Sequence, residues 1–189
     1  MKSPFNFIVQ PSLGRRYSNT KKIGGIDLII SSSEEDASAS NREAIVKELP
    51  IGYSGPIKIG DTLLVHHNVF KFYNDIKGRR KSGKSFFRDD LFFVDADQFF
   101  LYKQDGSWHS HDRFCFVKPI PIEKSLLSKP GTEEPLMGKM VYTNKYLLSQ
   151  GVKKGTKISF TPDSEYVFNI DGEKLYRIYD HQITMANGI

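Results

Sequence analysis

From Gly78 to Ser85 the chain reads Gly-Arg-Arg-Lys-Ser-Gly-Lys-Ser, the spacing of a phosphate-binding loop. Such a loop must follow a buried strand and open a helix, whose N-terminal amides and dipole hold the anion. Here the next residues, Phe86-Phe87-Arg88-Asp89-Asp90-Leu91-Phe92-Phe93-Val94, read as strand. A solvated hairpin tip is therefore expected, not a nucleotide site. Trp108-His109-Ser110-His111-Asp112 offers two imidazoles and a carboxylate, part of a zinc set. The other histidines, His66, His67 and His181, do not complete it, and the stretch reads as a polar interdomain linker. Cys115, the single cysteine, lies between Phe114 and Phe116 and reads as buried and inert. It can form no intrachain disulfide, so a reducing cytoplasm is the simplest setting. The sequence holds no catalytic triad, paired catalytic carboxylates or cofactor fingerprint. It is read as neither an enzyme nor a cofactor protein.

The stronger signals are for binding. Lys77, Arg79, Arg80, Lys81, Lys84 and Arg88 fall in one stretch without an acidic residue. The formal charge is +5, so these six leave the rest of the chain close to neutral. With Phe86 and Phe87 beside it, the cluster suits phosphate contact and base stacking on a single-stranded nucleic acid. It also suits plain solvation, or acidic groups on a protein partner. A second signal is the apolar patch Ile23-Gly24-Gly25-Ile26-Asp27-Leu28-Ile29-Ile30. Its flanks, Gly14 to Lys22 and Ser31 to Ser40, are polar, small or charged and cannot build a core. An apolar segment between solvated arms is placed for capture by an apolar groove on another protein; the plain alternative is an ordinary strand.

The elements that must carry these residues are strands. Phe dominates the 13% of aromatic residues, and short apolar stretches are punctuated by Gly, Pro, Asn and Asp. That pattern predicts an all-β chain, sandwich or barrel. One helical turn is predicted over Asn144–Gly151, stopped by Gly151, and a hairpin at Asp171-Gly172. No apolar run approaches the length of a membrane span, and the N-terminus lacks a secretory pattern.

The order of four pieces resembles the GroES family of co-chaperonins: a first strand at Phe5–Pro11, the Gly-Gly-Ile-x-Leu core of a loop at residues 14–41, the turn Lys58-Ile59-Gly60-Asp61 entering an apolar strand, and the ending Leu91-Phe92-Phe93-Val94 with Asp97–Leu101. The second half echoes the first. Phe116-Val117-Lys118-Pro119 matches Ile8-Val9-Gln10-Pro11, and Gly155-Thr156 matches Gly60-Asp61. Leu175–Ile178 matches Leu91–Val94, and Gln182 matches Gln98.

The resemblance implies two tandem GroES-like small β-barrels joined near Gln104–Ser107. The first, residues 1–104, would carry the mobile loop 14–41 and a basic insertion at 75–88. The second, residues 113–189, would lack the mobile loop. It also implies a co-chaperonin, in a homo-oligomeric, heptameric ring, that caps a GroEL-type chaperonin and closes a chamber around a client polypeptide in the cytoplasm. ATP would be bound by the partner. The loop would be disordered when free and become a hairpin-like strand on the chaperonin. Two departures stand out. The family's middle anchor is apolar, yet here it is Asp27, so either Asp27 faces solvent between Ile26 and Leu28 or the anchors shift to Leu28, Ile29 and Ile30. The roof hairpin is reduced to residues 49–56, which implies an open dome, as in phage-encoded members.

Overall fold

The computed structural model describes residues 2–17, 20–23, 26–29, 40–122 and 133–188, with the backbone alone for 20–23 and 26–29. The chain is all-β, with one short α-helix among the described residues. No helix there is long and apolar enough to cross a membrane. It divides into two compact units, residues 1–107 and 108–189.

Unit 1 contains β1 (Phe7–Pro11), β2 (Thr20–Ile23), β3 (Ile26–Ile29), β4 (Glu43–Glu48), β5 (Thr62–Val65), β6 (Phe72–Asn74), β7 (Arg80–Ser82), β8 (Phe86–Arg88), β9 (Leu91–Val94) and β10 (Phe99–Gln104), and the boundary falls within β11 (Ser107–Ser110). Seven strands form one sheet in the order β11-β10-β5-β4-β1-β9-β8, while β2-β3 and β6-β7 are separate two-stranded ribbons. Alternation sets the inward face: in β4, Ala44 and Val46 are buried and their neighbours less so. These two join Phe7, Val9, Leu63, Val65, Phe92, Val94 and Phe99 in one core.

The Phe7 and Phe99 rings meet edge to face at 5.4 Å. Their strands lie three places apart in the sheet, about 14 Å if it were flat, so the sheet curls strongly over its core. It nevertheless stays open. The sequence predicts closed barrels, but closure would need edge strands β11 and β8 to pair, and in the sheet they are opposite ends.

Unit 2 holds β12 (Phe114–Pro121), β13 (Glu133–Tyr142), α1 (Lys145–Ser149), β14 (Lys157–Phe160), β15 (Tyr166–Ile170), β16 (Glu173–Tyr179) and β17 (Ile183–Asn187). Its sheet runs β15-β16-β12-β13-β14-β17. Substituting chain-order equivalents gives the unit 1 order β8-β9-β1-β4-β5-β10. Local hydrogen bonding repeats as well. The Val46 N–H donates to Asp61 O (2.9 Å) and the Gly60 N–H to Val46 O (2.9 Å); in unit 2, Met140 donates to Thr156 (2.9 Å) and Gly155 to Met140 (2.8 Å). Both glycines take left-handed backbone angles, φ +95° and +90°, which suit a residue without Cβ. The side chains of Asp61 and Thr156 accept from the N–H of Lys58 (2.8 Å) and Lys153 (3.2 Å). Gln98 and Gln182 accept from the N–H of Asp95 (3.0 Å) and Tyr179 (2.8 Å).

The predicted helical turn is α1, capped by Asn144, whose side chain accepts from the Leu147 N–H at 2.9 Å. The predicted hairpin joins β15 to β16 through Asp171 and Gly172, both at positive φ (49° and 84°). Gln104–Ser107, expected as the interdomain joint, ends at the boundary between the two units and is also a hairpin end: Asp105 and Gly106 adopt the same left-handed pair (48° and 78°) between β10 and β11. Trp108, expected in a polar linker, is buried within β11, and its indole N–H donates to Asp171 (3.0 Å). Residues 49–56 form no strand. There Tyr53 packs edge-on against Phe7 at 5.0 Å, and Ile51 is exposed.

Candidate functional site

The long loop of unit 1 leaves the sheet after β1 and returns before β4. Its two arms are tied at the root. Tyr17 and Ser40 form a β-bridge, and the Asn41 N–H donates to Arg16 O at 2.9 Å. The Asn41 side-chain amide donates to Ser12 O (2.9 Å) and Arg15 O (2.7 Å), while its oxygen accepts from the Glu43 N–H (2.9 Å). The Ser40 hydroxyl donates to His67 O at 3.0 Å.

Beyond the root, β2 and β3 form an antiparallel ladder with Ile23 opposite Ile26, Lys22 opposite Asp27, Lys21 opposite Leu28 and Thr20 opposite Ile29. Opposed residues share a face and successive ones alternate. Positions 21, 23, 26 and 28 thus lie on one face, and 20, 22, 27 and 29 on the other. Of the expected binding residues, Gly24, Gly25 and Ile30 lie outside the described residues. So do residues 31–39 and the short loop of the second copy over 123–132. The free chain already holds the strand pair that was expected only on a partner. A two-stranded ribbon without a third strand is marginal in water, so little free energy separates it from an unpaired loop.

The basic stretch is also a hairpin. Strand β6 pairs with β7, with Phe72 opposite Ser82 and Asn74 opposite Arg80. Its tip is built by Asp75, whose carboxylate accepts from the N–H groups of Lys77 and Arg79 (2.9 Å each) and from Arg79 Nε (3.1 Å). These bonds, the Arg79 N–H foremost, hold the carboxyl below its ordinary pKa. The tip presents Ile76 fully exposed. Lys77, Arg79, Arg80 and Lys81 on this hairpin are exposed, as are Lys84 and Arg88 beyond its base. After Gly83 a turn at Lys84 and Ser85 leads into β8, so a strand and no helix follows to hold phosphate. Phe86, expected beside the cations as a stacking platform, packs against the core edge-on to Phe92 (5.6 Å).

Cys115 is fully buried, and burial pushes its thiol up to about 12, far from thiolate chemistry. Among the described residues, no three or more of His, Cys, Asp and Glu gather as a metal site.

At the loop root, burial first, and then the charges of His66, Arg42 and Lys71, push His67 down from 6.5 to about 4. A lowered folded-state pKa means that the unfolded chain takes up the proton first as pH falls. The stability due to neutral His67 is complete above 6.5 and is lost as pH falls toward 4. The drop in melting temperature from pH 7.5 to pH 5 is therefore expected to be smaller for His67→Asn than for the parent. Equal drops would refute this.

Compared with known proteins, the sequence matches no family model and no curated protein.

Proposed function

We propose that this chain is a GroES-type co-chaperonin that docks on a GroEL-type ring through the β2–β3 hairpin. The observation that carries the reading is the register: Ile26 and Leu28 share a face with Ile23, and Asp27 sits opposite Lys22. Ile26 and Leu28 then enter apolar pockets while Asp27 stays in water, which avoids burying an unpaired carboxylate. On this reading Ile29, which shares the face of Asp27, is not an anchor. Each unit is read as an opened relative of the small GroES barrel. Only unit 1 carries the docking loop, and chains close a ring, heptameric by analogy with the family, over a client polypeptide. The chain itself does no bond chemistry, and ATP belongs to the partner. The short 49–56 segment leaves the dome open, as in phage-encoded members, with the host cytoplasm as the setting. Co-sedimentation with a double-ring chaperonin tests this: binding with ATP or ADP and none without nucleotide is expected. Absence of binding under every condition, including with the native host's chaperonin, would overturn it.

The exposed cations of residues 77–88 favour a second reading, single-stranded nucleic acid on that stretch. It loses Phe86 as a stacking platform. Neutralising Arg79, Lys81 and Lys84 together is expected to leave chaperonin binding within about twofold. On the rival reading the same variant would abolish a salt-dependent affinity for oligonucleotides.

A further inference from the structure

Two insertions distinguish unit 1 from unit 2, the β2–β3 loop and the β6–β7 hairpin, and their roots grip one another. The Tyr17 ring stacks on Phe72 (5.9 Å between centroids, 16° between planes), and its hydroxyl accepts from the Phe72 N–H at 3.1 Å. Arg16 Nη1 donates to Ser82 Oγ at 3.0 Å. The Arg16 guanidinium lies over the rings of Phe72, Phe92 and Phe86 at 4.3, 4.7 and 5.1 Å. Phe72 and Ser82 oppose each other across the hairpin. Consecutive residues of the loop's entering arm thus hold one rung of the other insertion. The leaving arm is tied to the same place by the Tyr17–Ser40 bridge. The hairpin base is tight: the Gly83 N–H donates to Lys71 O at 2.9 Å, and a Cβ on Gly83 would meet that backbone oxygen at 3.0 Å.

We infer that the β6–β7 hairpin is a buttress for the docking loop, and that Phe72 and Ser82 are positioning residues that hold Arg16 and Tyr17 and so set where β2–β3 leaves the sheet. The inference rests on the proposed function only for its consequence in binding. The grip adds a second support to the root ties that Asn41 makes with Ser12 and Arg15 and Ser40 makes with His67. A stiff root reduces what must be ordered when the loop docks. The hairpin's own Arg80 guanidinium lies over the Phe72 ring at 3.7 Å, so the ring meets two cations, while the remaining basic residues of the hairpin have no part in the grip.

Hydrogen exchange on the full chain tests it without any partner. In Phe72→Ala the amides of residues 41 and 72 are expected to exchange roughly tenfold faster or more, with those of Val46 and Leu64 unchanged. Phe72→Tyr should restore protection. Where Phe72→Ala fails to fold, Tyr17→Ala is read in the same way. If the parent binds a chaperonin ring, Phe72→Ala should weaken that binding roughly threefold to tenfold, and Phe72→Tyr should recover it. Unchanged exchange at residues 41 and 72 overturns the buttress, as does a uniform loss across the sheet. A parent that binds no ring defeats the proposed function, while the exchange result still decides the buttress.

Discussion

Ile26→Asp combined with Leu28→Asp is expected to abolish capture by the chaperonin ring while leaving the fold intact. Each apolar anchor contributes about 1.5–3 kcal/mol on burial, and each new carboxylate would have to leave water unpaired. Per loop the loss is about 3–6 kcal/mol, against an ordering cost of about 2–5 kcal/mol already met by the parent. Single loops bind weakly, and a ring gains roughly two to four decades from acting together, so the deficit compounds around it. Circular dichroism and melting temperature should match the parent, because β2–β3 is a ribbon separate from the main sheet. Surface plasmon resonance on an immobilised ring reads the affinity. A variant that bound within tenfold of the parent would remove these positions from the interface. Ile29→Asp, on the opposite face by register, is the matched control and should cost far less.

Phe70→Ala is expected to lower stability by about 3–5 kcal/mol, the largest effect of any single substitution considered. Phe70 is fully buried in the unit 1 core and meets Phe92 edge to face at 4.9 Å. Two residues later the chain enters β6, so the ring fastens the hairpin insertion to the core. The urea midpoint should fall strongly and exchange protection should drop across β1, β4 and β9. A loss under about 1 kcal/mol would mean that the core collapses into the space without cost.

The repeat was legible because its turns are made locally. Lys58-x-Gly60-Asp61 and Lys153-x-Gly155-Thr156 close on their own backbones through a left-handed glycine and one side-chain acceptor, and such geometry leaves a residue signature. The same holds for Asp171-Gly172. Asp105-Gly106 marks the joint between the units, but that it is also a hairpin end was not legible, because turns and linkers share the same small polar residues and only the strand pairing on either side shows the turn. Sheet closure carries no local signature either, since it depends on whether two edge strands distant in the chain meet. The grip of Tyr17 on Phe72 joins residues 55 apart in sequence, and nothing in Arg16-Tyr17 or Phe72-Tyr73-Asn74 names its partner. The apolar patch stood out by contrast with its polar flanks, but which of its positions share a face needed the ladder register.

The most direct test of the docking claim is a hydrogen-exchange footprint of the whole chain with and without a double-ring chaperonin and ADP, repeated with a single-stranded oligonucleotide. The account predicts new protection over residues 20–29 with the ring, and no change at 77–88 with the oligonucleotide. Protection at 77–88 by the oligonucleotide, with none at 20–29 by the ring, would contradict it.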